Sequence, residues 1–322
     1  MKPEQIQIAA QELLNEIHAS PKPANELINA YTRARRYIGS KDRHNLTELV
    51  WASIKNEPTP KWLLDYIPQS ELDVMQQTAS HTVLRANGNR DQIQKSLATQ
   101  GIETIPTPLS PLGLILKKRL NLSAVSEYKN GLIEVQDEGS QLVTLATRIQ
   151  AGDSVLDYCA GAGGKSLCLA QIMQNKGHII AHDISQISLN ELKKRAHRAH
   201  ATIIQTTLKP QGTFQHVVVD APCSGSGTWR RNPDGRLKLT EKQLLSLIKK
   251  QATILDKACT FVQTNGYLHY MTCSLIDQEN QIQARAFLKR HKDFKLIHHQ
   301  QWTPAKTNTD GFFLATFQKI KE

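Results

Sequence analysis

The chain has 322 residues, with 40 lysines and arginines against 29 aspartates and glutamates, a formal net charge of +11. That length exceeds one average domain and suffices to bury a core without staples. Five cysteines, an odd number with no Cys-x-x-Cys pair, exclude a secreted disulfide scaffold; together with the lack of a signal pattern over Met1 to Ala10 they point to a cytoplasmic localisation. No uncharged apolar run approaches the roughly 20 residues of a membrane helix, so no membrane partner is expected. Positive charge attracts a polyanion, nucleic acid foremost. Basic residues cluster at Arg33, Arg35, Arg36, Lys41 and Arg43, at Lys117 to Arg119, at Lys193 to Arg198, and at Arg230, Arg231 and Arg236; several groups flank the chemistry described below, as a phosphate-gripping channel requires.

From Glu4 to about Asn56 the apolar spacing is helical (Ile6, Ala9, Leu13, Leu14, Ile17, then Leu46, Leu49, Val50, Ile54), so residues 1–60 read as a helical module. Residues 61–130 mix helical stretches, Leu72 to Ala86 and Asp91 to Gln100, with an extended run at Leu112 to Leu116, predicting a small α+β module for RNA. In residues 131–322 strand-like and helix-like runs alternate: Ser154 to Cys159, Lys165 to Asn175, His178 to Asp183, Ser188 to Ala199, Thr202 to Thr206, His216 to Asp220. This alternation predicts an α/β fold with a doubly wound, mostly parallel sheet. Thr240 and Gln243 form a capping box opening a helix to about Ala258; strand Gly266 to Thr272, a helix from Asp277, and strands Phe294 to His299 and Gly311 to Gln318 follow.

Val155 to Ser166 reads as a buried strand, a tight glycine turn and a helix start, which aims backbone N–H groups at a ligand. Adenosyl, dinucleotide or phosphate ligands all suit such a turn. A Walker-type loop needs glycine where Cys159 stands, and the spaced dinucleotide glycines are absent. Asp183 ends the next strand, where a carboxylate accepts from ribose hydroxyls or caps the following helix.

Cys223, in Asp-Ala-Pro-Cys-Ser-Gly, and Cys273, in Met-Thr-Cys-Ser, both follow strand ends on the side of the glycine turn. Cys159, Cys168 and Cys259 sit in apolar contexts that suit structural thiols, and no spacing suits a metal. Carbon 5 of cytosine is a poor nucleophile, but a thiolate adding to carbon 6 lets it attack a sulfonium methyl; a second group then assists loss of the carbon-5 proton. Cys223 suits that second task. A helix start beyond Cys273, with Arg230 or Arg231 nearby, is expected to favour the Cys273 thiolate, and Asp220 to hydrogen-bond the amide edge of the base.

Over Leu84 to Lys319 the chain resembles the Fmu/Sun-type RNA 5-cytosine methyltransferases, the family of ribosomal RNA small subunit methyltransferase B. The motifs are Val135-Gln-Asp-Glu-Gly-Ser-Gln141, Cys159 to Lys165, Asp220-Ala-Pro-Cys-Ser-Gly225, Arg230-Arg-Asn-Pro-Asp234, Thr272-Cys-Ser274 with Glu279-Asn280, and Asp310-Gly-Phe-Phe313. The resemblance implies a seven-stranded class I methyltransferase sheet, S-adenosylmethionine as donor, Cys273 as nucleophile and Cys223 as the product-release cysteine. It implies cofactor contacts from Cys159, Ala160, Gly161, Ala162, Gly163, Gly164, Lys165, Asp183 and Asp220, with Lys165 near the reacting base. Gly161-Ala162 stands where family members usually carry Ala-Pro, and no aspartate occurs in Ile203 to Leu208, where one usually lies near the adenine; Thr206 or Thr207 are the candidate substitutes. Ribosomal RNA is the expected substrate and transfer RNA the runner-up. A weakly active RNA-binding assembly factor of the same fold is the third reading.

Overall fold

The computed structural model describes every residue except Ala79, Arg119, Lys321 and Glu322, so the Arg119 end of one basic cluster lies outside it. Three helices open the chain, α1 (Pro3–Ala19), α2 (Ala24–Ala34) and α3 (Ser40–Asn56). Pro3 suits the first turn of α1. Leu13, Ile17, Leu46, Val50 and Ile54 interlock as one buried cluster, as their three- and four-residue spacing requires.

A short 3-10 turn leads to α4 (Gln69–Gln77). The helix expected over Leu72 to Ala86 ends here. Thr78 Oγ1 bonds back to the Val74 carbonyl, and Val83–Ala86 is instead strand β1. Helix α5 (Arg90–Thr99), β2 (Thr104–Pro106), β3 (Gly113–Leu116), α6 (Ser126–Lys129) and β4 (Ile133–Val135) complete a small unit whose four-stranded antiparallel sheet has the order β2-β3-β1-β4. Leu84 is buried between Leu114 and Val135, its partners on either side, so cross-strand pairing decides this strand.

Helix α7 (Glu138–Leu145) precedes the large sheet, and Asp137 Oδ1 caps it by accepting from Gly139 N at 2.8 Å. Then follow β5 (Ser154–Asp157), α8 (Gly164–Ile172), β6 (His178–His182), α9 (Gln186–Arg198), β7 (Ile204–Thr207) and β8 (Phe214–Asp220). The chain closes with α10 (Asp234–Lys238), α11 (Glu241–Ala258), β9 (Val262–Thr272), α12 (Gln281–Arg290), β10 (Phe294–Trp302), α13 (Pro304–Thr307) and β11 (Phe312–Lys319). The seven strands lie in the order β10-β11-β9-β8-β5-β6-β7, parallel from β9 to β7 and antiparallel at β10 and β11. Alternate residues face opposite layers, Val155 packing with Leu167 and Leu192, Leu156 with Leu255 and Ala258. The capping box at Thr240 forms as expected. Among the described residues no helix is long and apolar enough to cross a membrane.

Candidate active site

All the parallel strands end on one edge of the sheet, and the crevice there is the usual ligand position in open α/β folds. Beyond β5, the Ala160 N–H bonds the His182 carbonyl and the Gly161 N–H bonds Asp183 Oδ2 at 2.9 Å, tying the turn to the end of β6. Asp183 Oδ1 accepts from Ser185 N, while Ser185 itself caps α9, so the carboxylate braces the glycine turn instead of capping the helix. Gly163 has φ +87°, and a Cβ there would meet Leu192 at 2.5 Å; this residue packs the turn onto α9. Gly161 and Gly164 have open space where a side chain would stand, so the backbone of the turn is uncovered at these two positions.

Cys159, Asp183 and Asp220 line a cavity of about 620 Å³ with Tyr158, Ile184 and Lys250. Ala160, Gly161, Ala162, Gly163, Gly164 and Lys165 form the turn and helix start next to it. Cys159 thus packs against the core, as expected of a structural thiol, and also lines the cavity, where the resemblance expects a cofactor contact; burial pushes its thiol up. Cys168 and Cys259 are buried. Thr206 and Thr207 do not line the cavity; Thr207 Oγ1 is engaged with Lys209.

Asp157 was not singled out from sequence. It is completely buried beneath the turn; its Oδ2 accepts from Ser166 Oγ at 2.6 Å while Oδ1 has no partner. Burial lifts its carboxyl to about 7, against the opposing Ser166 hydrogen bond.

The two cysteines meet. Because β8 and β9 run parallel with Asp220 opposite Met271, Cys223 and Cys273 leave matching strand ends, and their sulfurs are 3.4 Å apart. The hydrogen bond to Cys273, followed by burial, pushes the Cys223 thiol well up. Lys165 Nζ donates to Asp220 Oδ2 at 2.5 Å. Burial alone pushes Lys165 down, but Asp220 outweighs it and Cys273 adds to the rise. A proton-bearing thiol, a second sulfur beside it and a nearly buried ammonium can together stabilise a nucleophilic thiolate.

That thiolate support differs from the expected one. Helix α12 starts only at Gln281, and Arg230 is committed to Asp310, Asn308 and Asp137 in the interior. Arg231 pairs with Asp310, Arg236 with main-chain carbonyls at the end of α3, and Arg195 and Arg198 with Glu134. These basic residues hold the fold instead of lining an open channel. Among the described residues no group of three or more His, Cys, Asp or Glu is placed to hold a metal.

Residues 144–318 match the family model of the 16S rRNA methyltransferase RsmB/F. The chain is 29% identical over 284 residues to ribosomal RNA small subunit methyltransferase B of Photorhabdus laumondii, covering 81% of this chain and 66% of that protein. The Vibrio cholerae protein of the same name is 30% identical over 285 residues, covering 81% of this chain and 65% of that one. The chain thus spans just under two thirds of the length of these relatives. NSun6 from Pyrococcus horikoshii, solved with SFG, superimposes with a TM-score of 0.73 at 18% identity, covering 82% of this chain and 99% of that chain. With more than half of its length matched by the family model, the chain belongs to the RsmB/F methyltransferase family.

Proposed function

We propose that this chain is an enzyme that transfers a methyl group from S-adenosylmethionine to carbon 5 of a cytosine in RNA, with ribosomal RNA as the substrate class. The observation that carries the proposal is the 3.4 Å approach of Cys223 and Cys273 beside the Lys165–Asp220 pair, with Asp220 and Pro222, the residues leading into Cys223, lining the cavity. The open space over Gly161 and Gly164 and the Asp183 carboxylate in the cavity wall suit a ligand with ribose hydroxyls. When bound, S-adenosylmethionine supplies an electrophilic methyl group.

Cys273 is assigned the bond to cytosine carbon 6, which drives electrons toward carbon 5. Cys223 keeps its proton while the Cys273 sulfur is its neighbour. Once Cys273 is bonded to carbon, that hydrogen-bond acceptor is spent and the main cause raising the Cys223 pKa disappears. Cys223 then yields its proton to solvent and takes the carbon-5 proton, and the carbon 6–sulfur bond breaks with Cys273 leaving as thiolate. Lys165 and Asp220 hold the amide edge of the base, which a flipped-out nucleotide presents. In this reading the α+β module is the part that holds RNA and, because β4 pairs with β1, it runs past the expected boundary at 130 to Val135; the catalytic part follows it, residues 1–60 are the helical module, and the enzyme works in the cytoplasm.

The test is incubation with labelled S-adenosylmethionine and total RNA from a deletion strain. One labelled cytosine in ribosomal RNA is the expected result. Label in transfer RNA would reassign the substrate, and RNA bound without label would favour the assembly-factor reading.

A further inference from the structure

The two loops carrying the cysteines are joined by a residue at the far end of the β9–α12 connection, the one that begins at Cys273. Glu279 is fully buried. Its Oε1 accepts from the backbone N–H of Ser224 at 2.9 Å and from Gln251 Nε2 at 2.8 Å. Its Oε2 accepts from Ser224 Oγ and from Ser274 Oγ, both at 2.5 Å. Ser224 follows Cys223 and Ser274 follows Cys273, so one carboxylate grips the residue after each thiol.

The grip is itself anchored. Tyr270 Oη donates to the Glu279 carbonyl at 2.5 Å, and Asn280 Nδ2 donates to the Ser274 carbonyl at 2.8 Å while its Oδ1 accepts from Thr272. Four donors converge on two oxygens, a set that only an acceptor-only carboxylate satisfies in full. An amide would turn one pair of donors toward another donor, and a shorter acid would not reach both loops.

We propose that Glu279 is a positioning residue: through Ser224 and Ser274 it sets the separation of Cys223 and Cys273, which the covalent methyl transfer proposed above requires. The inference rests on that reading for its purpose and on the four hydrogen bonds for its geometry. The Glu279 charge also adds to the causes that keep the Cys223 thiol protonated, after Cys273 and burial.

The test uses the full chain as Glu279→Asp, Glu279→Gln and Ser274→Ala, with two readouts. The first is the rate at which diamide closes a Cys223–Cys273 disulfide, followed by peptide mass spectrometry. In that reaction the sulfurs bond, both thiol protons and two electrons pass to diamide, and diamide becomes its hydrazine. The second readout is kcat and KM for RNA. Glu279→Asp is expected to lower both the closure rate and kcat by about tenfold or more, with KM within about threefold of wild type. Ser274→Ala, which removes one bond and keeps the charge, is expected to move both the same way by a smaller factor, and it carries the test should a Glu279 variant not fold. Folded variants with wild-type closure rate and kcat, or with KM raised and kcat unchanged, would overturn the proposal. Should closure slow in the variants while even wild type methylates no RNA, the clamp would stand and the methyl-transfer reading would fail.

Discussion

Lys165 Nζ and Asp220 Oδ2 are 2.5 Å apart, joining the helix start after the glycine turn to the strand end that leads into Cys223. The lysine is 8% exposed, so its ammonium depends on that carboxylate. Asp220→Asn keeps the shape and removes the compensating charge; it should cost about 2 kcal/mol of stability and at least about 100-fold in methyl transfer. Urea midpoints and single-turnover rates check both. Wild-type values in both would show the pair to be idle.

The thiols should separate by the product they leave. Cys273→Ala is expected to abolish transfer, whereas Cys223→Ala should trap protein bonded to RNA, visible as a retarded band on a denaturing gel. Full activity in Cys273→Ala would end the nucleophile assignment.

A pH dependence follows from the other edge of the sheet. His216 Nε2 faces Asp153 at 3.2 Å, His216 Nδ1 faces His269 Nε2 at 3.0 Å, and His269 Nδ1 faces Thr316 Oγ1 at 3.0 Å. Burial first, then the His216 charge, holds His269 well below its ordinary value. The unfolded chain therefore binds the proton more readily, and this site loses stability as pH falls below about 6.5, by at most about 1.4 kcal/mol per pH unit. Asp157 works in the opposite sense. Its raised pKa means the folded state holds a proton the unfolded chain has released, so its contribution declines as pH rises from about 4 toward 7. Comparing variants isolates each site: the stability deficit of His269→Gln should narrow between pH 7 and 5, and Asp157→Asn should gain on wild type from pH 4 to 8. Denaturant midpoints across that range are the measurement, and deficits independent of pH would refute the neutral-histidine assignment.

Arg236 fastens the helical module. Its Nη2 donates to the carbonyls of Ile54, Lys55 and Glu57 at the end of α3, while Asp234 Oδ2 accepts from Ala24 N at the start of α2. A cation at a helix C-terminus and an anion at an N-terminus both complement the helix dipole. Arg236→Ala should cost about 2 kcal/mol locally and raise amide exchange in α1 to α3 while leaving β5 to β9 protected. Uniform exchange throughout would show that the clasp is not local.

The glycine turn, the cysteine placements and the capping box at Thr240 were legible because each is a local chain pattern. Strand, turn and helix start follow one another within a dozen residues, and two Cys motifs each follow a run of buried apolar residues. What stayed hidden depends on partners. Val83–Ala86 has too few residues to show a period and is a strand because β3 and β4 flank it. Arg230 and Arg231 read as charge for a phosphate channel and for the Cys273 thiolate, but Asp137 and Asp310, from distant segments, close around them. Nothing local in the sequence marks Asp157. Its burial emerges only from the layers above and below it, just as the four donors around Glu279 emerge only when β8 and β9 lie side by side.

Gly227 donates its N–H to the Cys273 carbonyl and accepts from the Gly311 N–H, and a methyl added at Gly227 would meet the Gly311 carbonyl oxygen at 2.1 Å. The two main chains touch where neither has a side chain to withdraw. In evolutionary terms the two distant codons are tied: a side chain gained at Gly227 meets backbone that no replacement at position 311 can shorten, so that mutation has no compensating partner while the loop keeps this path.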